Sequence, residues 1–213
     1  MRSETDMVAA AGTARGGAGG LMLESPLVGV ADLLRAQEGA STRFALRERA
    51  FLDLVNVRGE PSDAAFVEAV AAVAGLRLPA EPNTVARGER YDALWLGPDE
   101  WLLRSVEPAP AGGLHARLSS ALAGADAAAV DVGSGYTVLE ISGAQAREAL
   151  ARGCPLDLHP RVFKTGQCAQ SHFFKTAIVL APTGDERTDL VVRRSFADYF
   201  CRILLDAAAP LLA

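Results

Sequence analysis

Four side chains that commonly bind soft metals lie close together in the second half of the sequence, namely Cys154, His159, Cys168 and His172. In zinc sites the ligands usually occur as pairs of residues closely spaced in the sequence, and this spacing allows tetrahedral coordination of the metal. The spacing C-x4-H-x8-C-x3-H is not one of the recognised patterns. Buried cysteine is also common as a small hydrophobic residue without a ligand. We therefore expect no metal site here. We also expect no catalytic cysteine, because the sequence shows no third group that could orient His172 as a base for Cys168.

A glycine-rich segment, Asp131–Tyr136 (DVGSGY), offers a second kind of chemistry. Gly-x-Gly loops let backbone amides approach a phosphate. A dinucleotide-binding fingerprint needs a third glycine where Val138 stands and a helix afterwards, whereas a strand pattern follows. The segment is predicted to be a tight turn between strands.

Basic side chains form the third candidate site: His159, Arg161, Lys164, Arg193 and Arg194. The two adjacent arginines end a predicted strand and precede a helix, where guanidinium groups and the helix N-terminus can hold a carboxylate or phosphate. A salt bridge within the chain or to another subunit, a solvated surface and a small-anion site are the three alternatives. We take His159, Arg161, Arg193 and Arg194 as candidate subunit contacts.

Other catalytic patterns do not occur in the sequence. It contains no evident acid–base pair of carboxylates, no Gly-x-Ser-x-Gly elbow and no Walker loop. The residues alone therefore indicate no catalytic site and no cofactor site.

Composition narrows the choice of partners and location. The 213 residues include 22% charged residues and carry a net charge of -5, which argues against nucleic acid or anionic lipid as a partner. No apolar run approaches the roughly 20 residues that span a bilayer. Three cysteines without a Cys-x-x-Cys pair predict reduced thiols, and we expect a cytoplasmic protein. Residues 1–20 are rich in Gly and Ala and are predicted to be a disordered tail.

The elements that must position these residues follow a repeated order. After a helical stretch at Val28–Gln37, the first unit reads as a strand at 51–57, a helix capped by Ser62, a hairpin around Gly97–Glu100, a helix at 113–123 and a strand at 129–132. The predicted order is β-α-β-β-α-β.

The second unit begins the same order again. It reads as a strand at 136–141, a helix capped by Ser142, strands at 172–180 and 190–193, and a last helix opened by Ser195 and Asp198. This unit is one strand short of the first. We predict an α+β fold in residues 21–213, with two ferredoxin-like units, 44–133 and 134–213, side by side.

Several segments resemble the gamma subunit of heterotetrameric sarcosine oxidase. They are LEISGAQAREALARGCPLDLHPRVF at 139–163, GQCAQ at 166–170, RRSFADY at 193–199, LGPDEWLL at 96–103 and SPL at 25–27. The resemblance covers essentially everything after the tail. It implies the fold of the glycine-cleavage T protein and of the folate-binding domain of a tRNA-modifying GTPase.

The resemblance also implies partners and a reaction. Alpha, beta and delta subunits would accompany this chain and would carry the NAD, FAD, FMN, zinc and tetrahydrofolate sites, while gamma itself would hold no cofactor. The complex would demethylate sarcosine oxidatively to glycine, form hydrogen peroxide and pass the one-carbon unit to tetrahydrofolate. This chain would assist assembly or enclose the path between sites.

Two other functions remain open. A free-standing folate-binding or one-carbon transfer module would need an apolar pocket with a convergent carboxylate. A metal-binding regulator would use the four Cys and His residues and would carry stoichiometric zinc.

Overall fold

The N-terminal part of the chain forms a small separate sheet and a short helix. A computed structural model describes residues 13–15, 22–37, 41–109 and 111–213. Strands β1 (Thr13–Arg15) and β2 (Met22–Glu24) pair antiparallel, and a 3-10 turn at Val28–Val30 leads into helix α1 (Ala31–Gln37). Thus β1 lies within the predicted tail, whose residues 1–12 and 16–20 are outside the described residues.

The rest of the chain builds two sheets and their helices. The first part contains β3 (Ala45–Glu48), β4 (Leu54–Gly59), α2 (Ala64–Ala74), β5 (Val85–Arg87), β6 (Tyr91–Gly97), β7 (Glu100–Ser105), α3 (Gly113–Ala121) and β8 (Ala127–Asp131). The second part contains β9 (Tyr136–Ser142), α4 (Ala146–Ala151), β10 (Ala169–Phe173), β11 (Thr176–Gly184), β12 (Arg187–Arg193) and α5 (Ala197–Leu212).

The two sheets have matching strand orders. One runs β5-β6-β7-β4-β8 and the other β10-β11-β12-β9-β3, with antiparallel pairing throughout. This arrangement confirms the predicted α+β class. Strand β3 supplies the strand that the second unit lacks, because it pairs with β9 from Ala45↔Ser142 to Glu48↔Leu139. The predicted range 44–133 therefore includes one strand of the other sheet.

Strand alternation produces four layers, helix, sheet, sheet and helix. In β7, Trp101 and Leu103 join a core with α2 and α3, whereas Leu102 joins a core between the sheets. In β12, Leu190 and Val192 pack with α4 and α5, whereas Val191 meets the first sheet. Each sheet is therefore buried on both faces, as successive side chains on opposite faces of a strand allow.

Several predicted boundaries are wrong in detail. The cap of α2 is Asp63, whose carboxylate accepts the amide of Ala65, and α4 begins at Ala146 without a side-chain cap. A 3-10 turn at Arg194–Phe196 precedes α5, so Ser195 is not its cap. The predicted strand at 172–180 is two strands joined by a turn at Phe174, which has a φ of 47°.

No described helix combines the length and apolar character required to cross a membrane.

Candidate functional site

A buried ionic network joins the two sheets. Asp92 of β6 and Arg104 of β7 belong to the first sheet, and Asp189 of β12 belongs to the second. Arg104 Nη2 donates to Asp92 Oδ2 at 2.8 Å, and Arg104 Nη1 lies 2.7 Å from Asp189 Oδ2. Arg49 and Arg87 complete the network at 2.7 Å from Asp189 and 3.0 Å from Asp92. Three guanidinium groups thus share two buried carboxylates across the interface.

The outer arginines of this network also bind backbone carbonyls. Arg49 follows β3 and donates to the carbonyl of Val106, while Arg87 of β5 donates to Pro182 O of the second sheet at 2.9 Å. Buried charges need partners to offset their lost hydration. The network therefore stabilises the contact between the two sheets. Its buried charges are in turn compensated only while the sheets are in contact.

The sequence contained a signal for this network that our prediction missed. Asp92, Arg104 and Asp189 each lie directly beside a run of apolar residues in a strand, in YDALWLG, EWLLRS and RTDLVVR. A charged residue on a buried strand is rare unless it is paired. Their partners could not be identified from the sequence, because strands far apart in the chain supply them.

A cavity of about 360 Å³ lies beside the network, where the chain passes from one sheet to the other. Its wall includes Asp53, Asp131, Tyr136, Thr137 and Arg194, together with residues of the segment that follows β2. Cavities of this size are within the range that binds small molecules. It is therefore a candidate small-molecule site in the described part of the chain.

The carboxylate of Asp53 is the most buried acid in this cavity. Its Oδ2 accepts the amide of Leu114 at 2.8 Å at the start of α3, and its own backbone amide donates to the Ser105 hydroxyl oxygen at 2.9 Å. Burial raises the pKa of Asp53, the Leu114 amide opposes this change, and nearby Asp131 adds to it. The group therefore stabilises a helix start and also faces the cavity.

The predicted basic contacts are exposed and lie in two places. His159 organises a turn, since its Nδ1 accepts the amide of Arg161 at 3.2 Å. Arg193 ends β12 and its guanidinium lies 5.7 Å from the ring centre of Tyr136. Arg194 bonds through its amide to Gly135 O and lines the cavity. Their role as subunit contacts remains a prediction.

The four Cys and His residues make separate contacts. Cys154 Sγ lies 3.6 Å from Ser171 Oγ, whereas Cys168 Sγ lies 3.3 Å from the carbonyl oxygens of Thr84 and Trp95. Burial raises the pKa of the Cys168 thiol to about 11, which disfavours a reactive thiolate. Across the residues with described positions, no group of three or more His, Cys, Asp or Glu has an arrangement that could hold a metal.

The glycine-rich segment forms the connection between β8 and β9. Gly133 donates its amide to Asp131 Oδ1 at 2.9 Å, and Gly135 donates to Val132 O at 2.9 Å. Strand β9 follows it, as the sequence pattern predicts. This segment is the passage from the first sheet to the second and part of the cavity wall.

The four-layer arrangement defines the structural class of the chain. It superposes on the glycine cleavage system aminomethyltransferase T from Bartonella henselae with a TM-score of 0.58 and 16% identity, over 94% of this chain and 55% of that one. At this identity the match shows the fold alone. The predicted T protein-like fold is confirmed.

The chain belongs to the sarcosine oxidase, gamma subunit family, whose model matches residues 58–210. The sarcosine oxidase gamma subunit of Arthrobacter sp. is 34% identical over 84% of this chain and 88% of its own length. The counterpart of Corynebacterium sp. (strain P-1) is 35% identical over 81% and 83%. A chain of the heterotetrameric sarcosine oxidase from Corynebacterium sp. U-96 matches with a TM-score of 0.82 and 32% identity, over 90% of this chain and 97% of that one.

Proposed function

We propose that this chain is the non-catalytic gamma subunit of a cytoplasmic heterotetrameric sarcosine oxidase. The complex would oxidise sarcosine to glycine, with peroxide formation and one-carbon transfer to tetrahydrofolate. Alpha, beta and delta subunits would hold the flavins, NAD, tetrahydrofolate and zinc. The proposal is carried by the match to a chain of the U-96 complex, which covers 90% of this chain and 97% of that chain.

A role in assembly, or in enclosing a path between sites, fits the contacts of the buried charged groups. Asp53 accepts a helix amide, and Arg104 is paired with Asp92 and Asp189. General acid–base catalysis needs a group that can reach the substrate. These pairings favour a structural role for the acids and bases in the interior.

Co-expression tests the subunit assignment. This chain would be tagged and produced together with the alpha, beta and delta subunits of a heterotetrameric sarcosine oxidase, and sarcosine-dependent peroxide release would be measured with and without it. We expect a yellow complex to co-purify, and its yield or activity to collapse when the chain is omitted. A chain that emerges alone, with the other subunits fully active without it, would contradict the proposal.

The exposed arginines at the end of β12 supply a more local test. Arg193→Ala together with Arg194→Ala should lower recovery of the complex, because Arg is a frequent contact at protein interfaces. His159→Ala with Arg161→Ala tests the second exposed place. Circular dichroism of each free variant must match that of the unchanged chain. Undiminished recovery of the complex would remove these residues from the interface.

The cavity supports a second candidate, a folate-binding or one-carbon transfer module. Asp53 could accept the N–H groups of a pterin-like ring while its other oxygen holds the amide of Leu114. Titration calorimetry of the isolated chain with tetrahydrofolate tests this function, with Asp53→Asn as the comparison. Micromolar binding that the substitution weakens would favour it, and no heat of binding would exclude it.

A further inference from the structure

The first sheet ends on one side at β8, and this edge leaves backbone groups open. Among the described strands, β8 pairs with β4 alone. The amide of Val132, directly after β8, donates to Leu54 O of β4 at 3.0 Å. In an antiparallel pair the hydrogen-bonding groups of successive residues point to opposite sides. Those of Ala128 and Val130 therefore point toward β4.

The alternate residues of β8 point their backbone groups away from the sheet. They are Ala127, Ala129 and Asp131. In the part of the chain that the structure describes, no residue bonds to the amides or carbonyls of these three. A row of open donors and acceptors at a sheet edge is a template for another extended strand.

The other outer strands are joined or polar. At the opposite edge of the first sheet, Val85 of β5 donates its amide to Gly166 O at 2.9 Å, just before β10. In the second sheet, β3 (ALRE) and β10 (AQSHF) carry charged or polar side chains. Strand β8 (AAAVD) has four apolar residues in succession, with no lysine, proline or bulge. It therefore lacks the features that usually protect an edge from pairing.

One face of β8 is apolar and open to solvent. Val130 is 52% exposed, and Ala128 on the same face is also exposed. On the opposite face, Ala127 and Ala129 pack on the core shared with α2 and α3. A strand added to this edge would cover Val130, so that burial of apolar surface would add to the backbone hydrogen bonds.

The charges at the ends of β8 discriminate between possible occupants. Asp126 precedes the strand and Asp131 ends it, and both are exposed. If two copies of β8 paired antiparallel about Ala129, Asp131 of each copy would lie beside Asp126 of the other, and a parallel pair would place each acid beside its own counterpart. Like charges on neighbouring strands are destabilising. The edge therefore favours a different strand, with basic residues near its ends.

We infer that β8 is the docking edge for an extended segment of a neighbouring subunit, which adds a sixth strand to the five of the first sheet. The backbone of this segment bonds to the outward groups of β8, and an apolar side chain covers Val130. A lysine or arginine at one or both of its ends lies near Asp126 or Asp131. In such strand addition, main-chain bonds supply affinity and alternate side chains supply specificity. The inference rests on the proposed function, since it requires other subunits.

The first experiment places a charge on the open face of the edge. Val130→Lys should weaken association with the other subunits on the order of tenfold or more, because an edge lysine opposes strand pairing and would repel basic ends of the occupant. Association would be measured by biolayer interferometry. Circular dichroism of the free variant should match that of the unchanged chain, since Val130 is exposed.

The control makes the same kind of change at another exposed apolar residue. Leu33 of α1 is 40% exposed, and Leu33→Lys should leave association unchanged within about twofold. Equal loss in both variants would indicate a general effect of added charge and overturn the inference.

A charge reversal tests the basic ends of the occupant. Asp126→Lys should weaken association at least about threefold, with the effect shrinking as salt rises. Asp206→Lys, the same change at an exposed residue of α5, is the control and should have no effect. Association that Asp126→Lys leaves unchanged would show that the occupant is not basic at this end.

Hydrogen exchange at single amides tests the backbone pairing itself. In the free chain, the amides of Ala129 and Asp131 should exchange quickly and those of Ala128 and Val130 slowly, because only the latter two bond to β4. In the assembled complex, Ala129 and Asp131 should slow at least about tenfold. Nuclear magnetic resonance resolves the free chain, and mass spectrometry with electron-transfer fragmentation resolves the complex.

The outcomes separate the two proposals. If the complex forms but Ala129 and Asp131 still exchange quickly, β8 is not the docking edge while the subunit assignment stands. If these amides are already slow in the free chain, the edge is covered by this chain or by a second copy, and the inference is wrong. If the unchanged chain recovers no other subunit, the proposed function and this inference fall together.

Discussion

At the scale of single residues, the stability of the chain depends on charges placed where water is excluded. Asp189 is fully buried, and its Oδ2 receives Arg49 and Arg104 at 2.7 Å each while Oδ1 has no hydrogen-bond partner. A buried ion pair is not in itself strong evidence for stability, but removal of one partner leaves an uncompensated charge.

Asp189→Ala should therefore be strongly destabilising. We expect the free energy of unfolding in urea to fall by about 3–5 kcal/mol, because Arg104 loses one of its two carboxylate partners while its guanidinium stays buried. Glu68→Ala, which removes the exposed partner of Arg77, is the control and should cost less than about 1 kcal/mol. A loss for Asp189→Ala as small as that of the control would contradict the importance of the network.

Asp53 should give the chain a pH-dependent stability. Because burial raises its pKa, the folded chain keeps this proton at pH values where the unfolded chain has lost it. The contribution of Asp53 is fully present below its ordinary pKa of 3.8 and decreases as pH rises through the folded pKa. The amide of Asp53→Asn does not titrate and still offers an acceptor to Leu114.

The measurement is the difference in unfolding free energy between Asp53→Asn and the unchanged chain as a function of pH. We expect this difference to move in favour of the variant as pH rises above 3.8, and to level off above the raised pKa. A constant difference, or one that moves the other way, would show that burial does not control this carboxyl group.

At the scale of elements, the attachment of β3 to β9 depends on a close backbone approach. Gly143 follows β9 with a φ of 104°, and a Cβ there would lie 2.4 Å from Arg43 O and 2.8 Å from Phe44 N. Only glycine combines this conformation with this contact at no steric cost. The pairing of edge strand β3 with β9 therefore depends on the missing side chain of Gly143 as well as on the hydrogen bonds between the two strands.

Gly143→Ala should loosen β3. We expect a loss of at least about 2 kcal/mol of stability, from backbone strain and the clash with Arg43, and faster amide hydrogen exchange at 45–48. Gly184→Ala is the matched control, since a Cβ there would lie 3.8 Å from the nearest side chain and its φ is not positive. If residues 45–48 stay equally protected in both variants, Gly143 does not hold the strand in place.

At the scale of the whole molecule, the two halves of the chain are joined by strand β3, which pairs in the second sheet, and by the ionic network. The chain crosses from β3 in one sheet to β4 in the other within residues 49–53, and it returns between β8 and β9 at 132–135. A core of apolar side chains from both sheets lies between them. The two units predicted from the sequence are thus halves of one folded body.

Unfolding should therefore be a single transition. Trp95 and Trp101 lie in the first sheet, so their fluorescence reports on that sheet, whereas far-ultraviolet circular dichroism reports on both. We expect the two signals to give the same urea midpoint, because neither sheet keeps its inner face buried alone. Two separated midpoints would mean that the halves are independent domains.

The sequence alone predicted most elements and the family. Two apolar runs around the turn at Gly97–Glu100 indicated the hairpin of β6 and β7, and helical spacing indicated α2 and α5, because these patterns depend only on neighbours in the chain. Gly75 ends α2 with a φ of 71°, a backbone conformation that glycine adopts without steric cost. The quoted segments pointed to the gamma subunit family, to which the chain belongs.

Tertiary structure decided the features that depend on residues distant in the chain. Nothing in the sequence of the short strand β3 indicates that it pairs with β9. Nothing in the sequence around Asp189 indicates that it binds Arg49 and Arg104. The cap of α2 is a local feature that was misplaced by one residue, because the carboxylate of Asp63, and not the hydroxyl of Ser62, accepts the amide of Ala65. Local periodicity specifies which elements form, whereas the pairing of edges and buried charges is set by the free energy of the assembled layers.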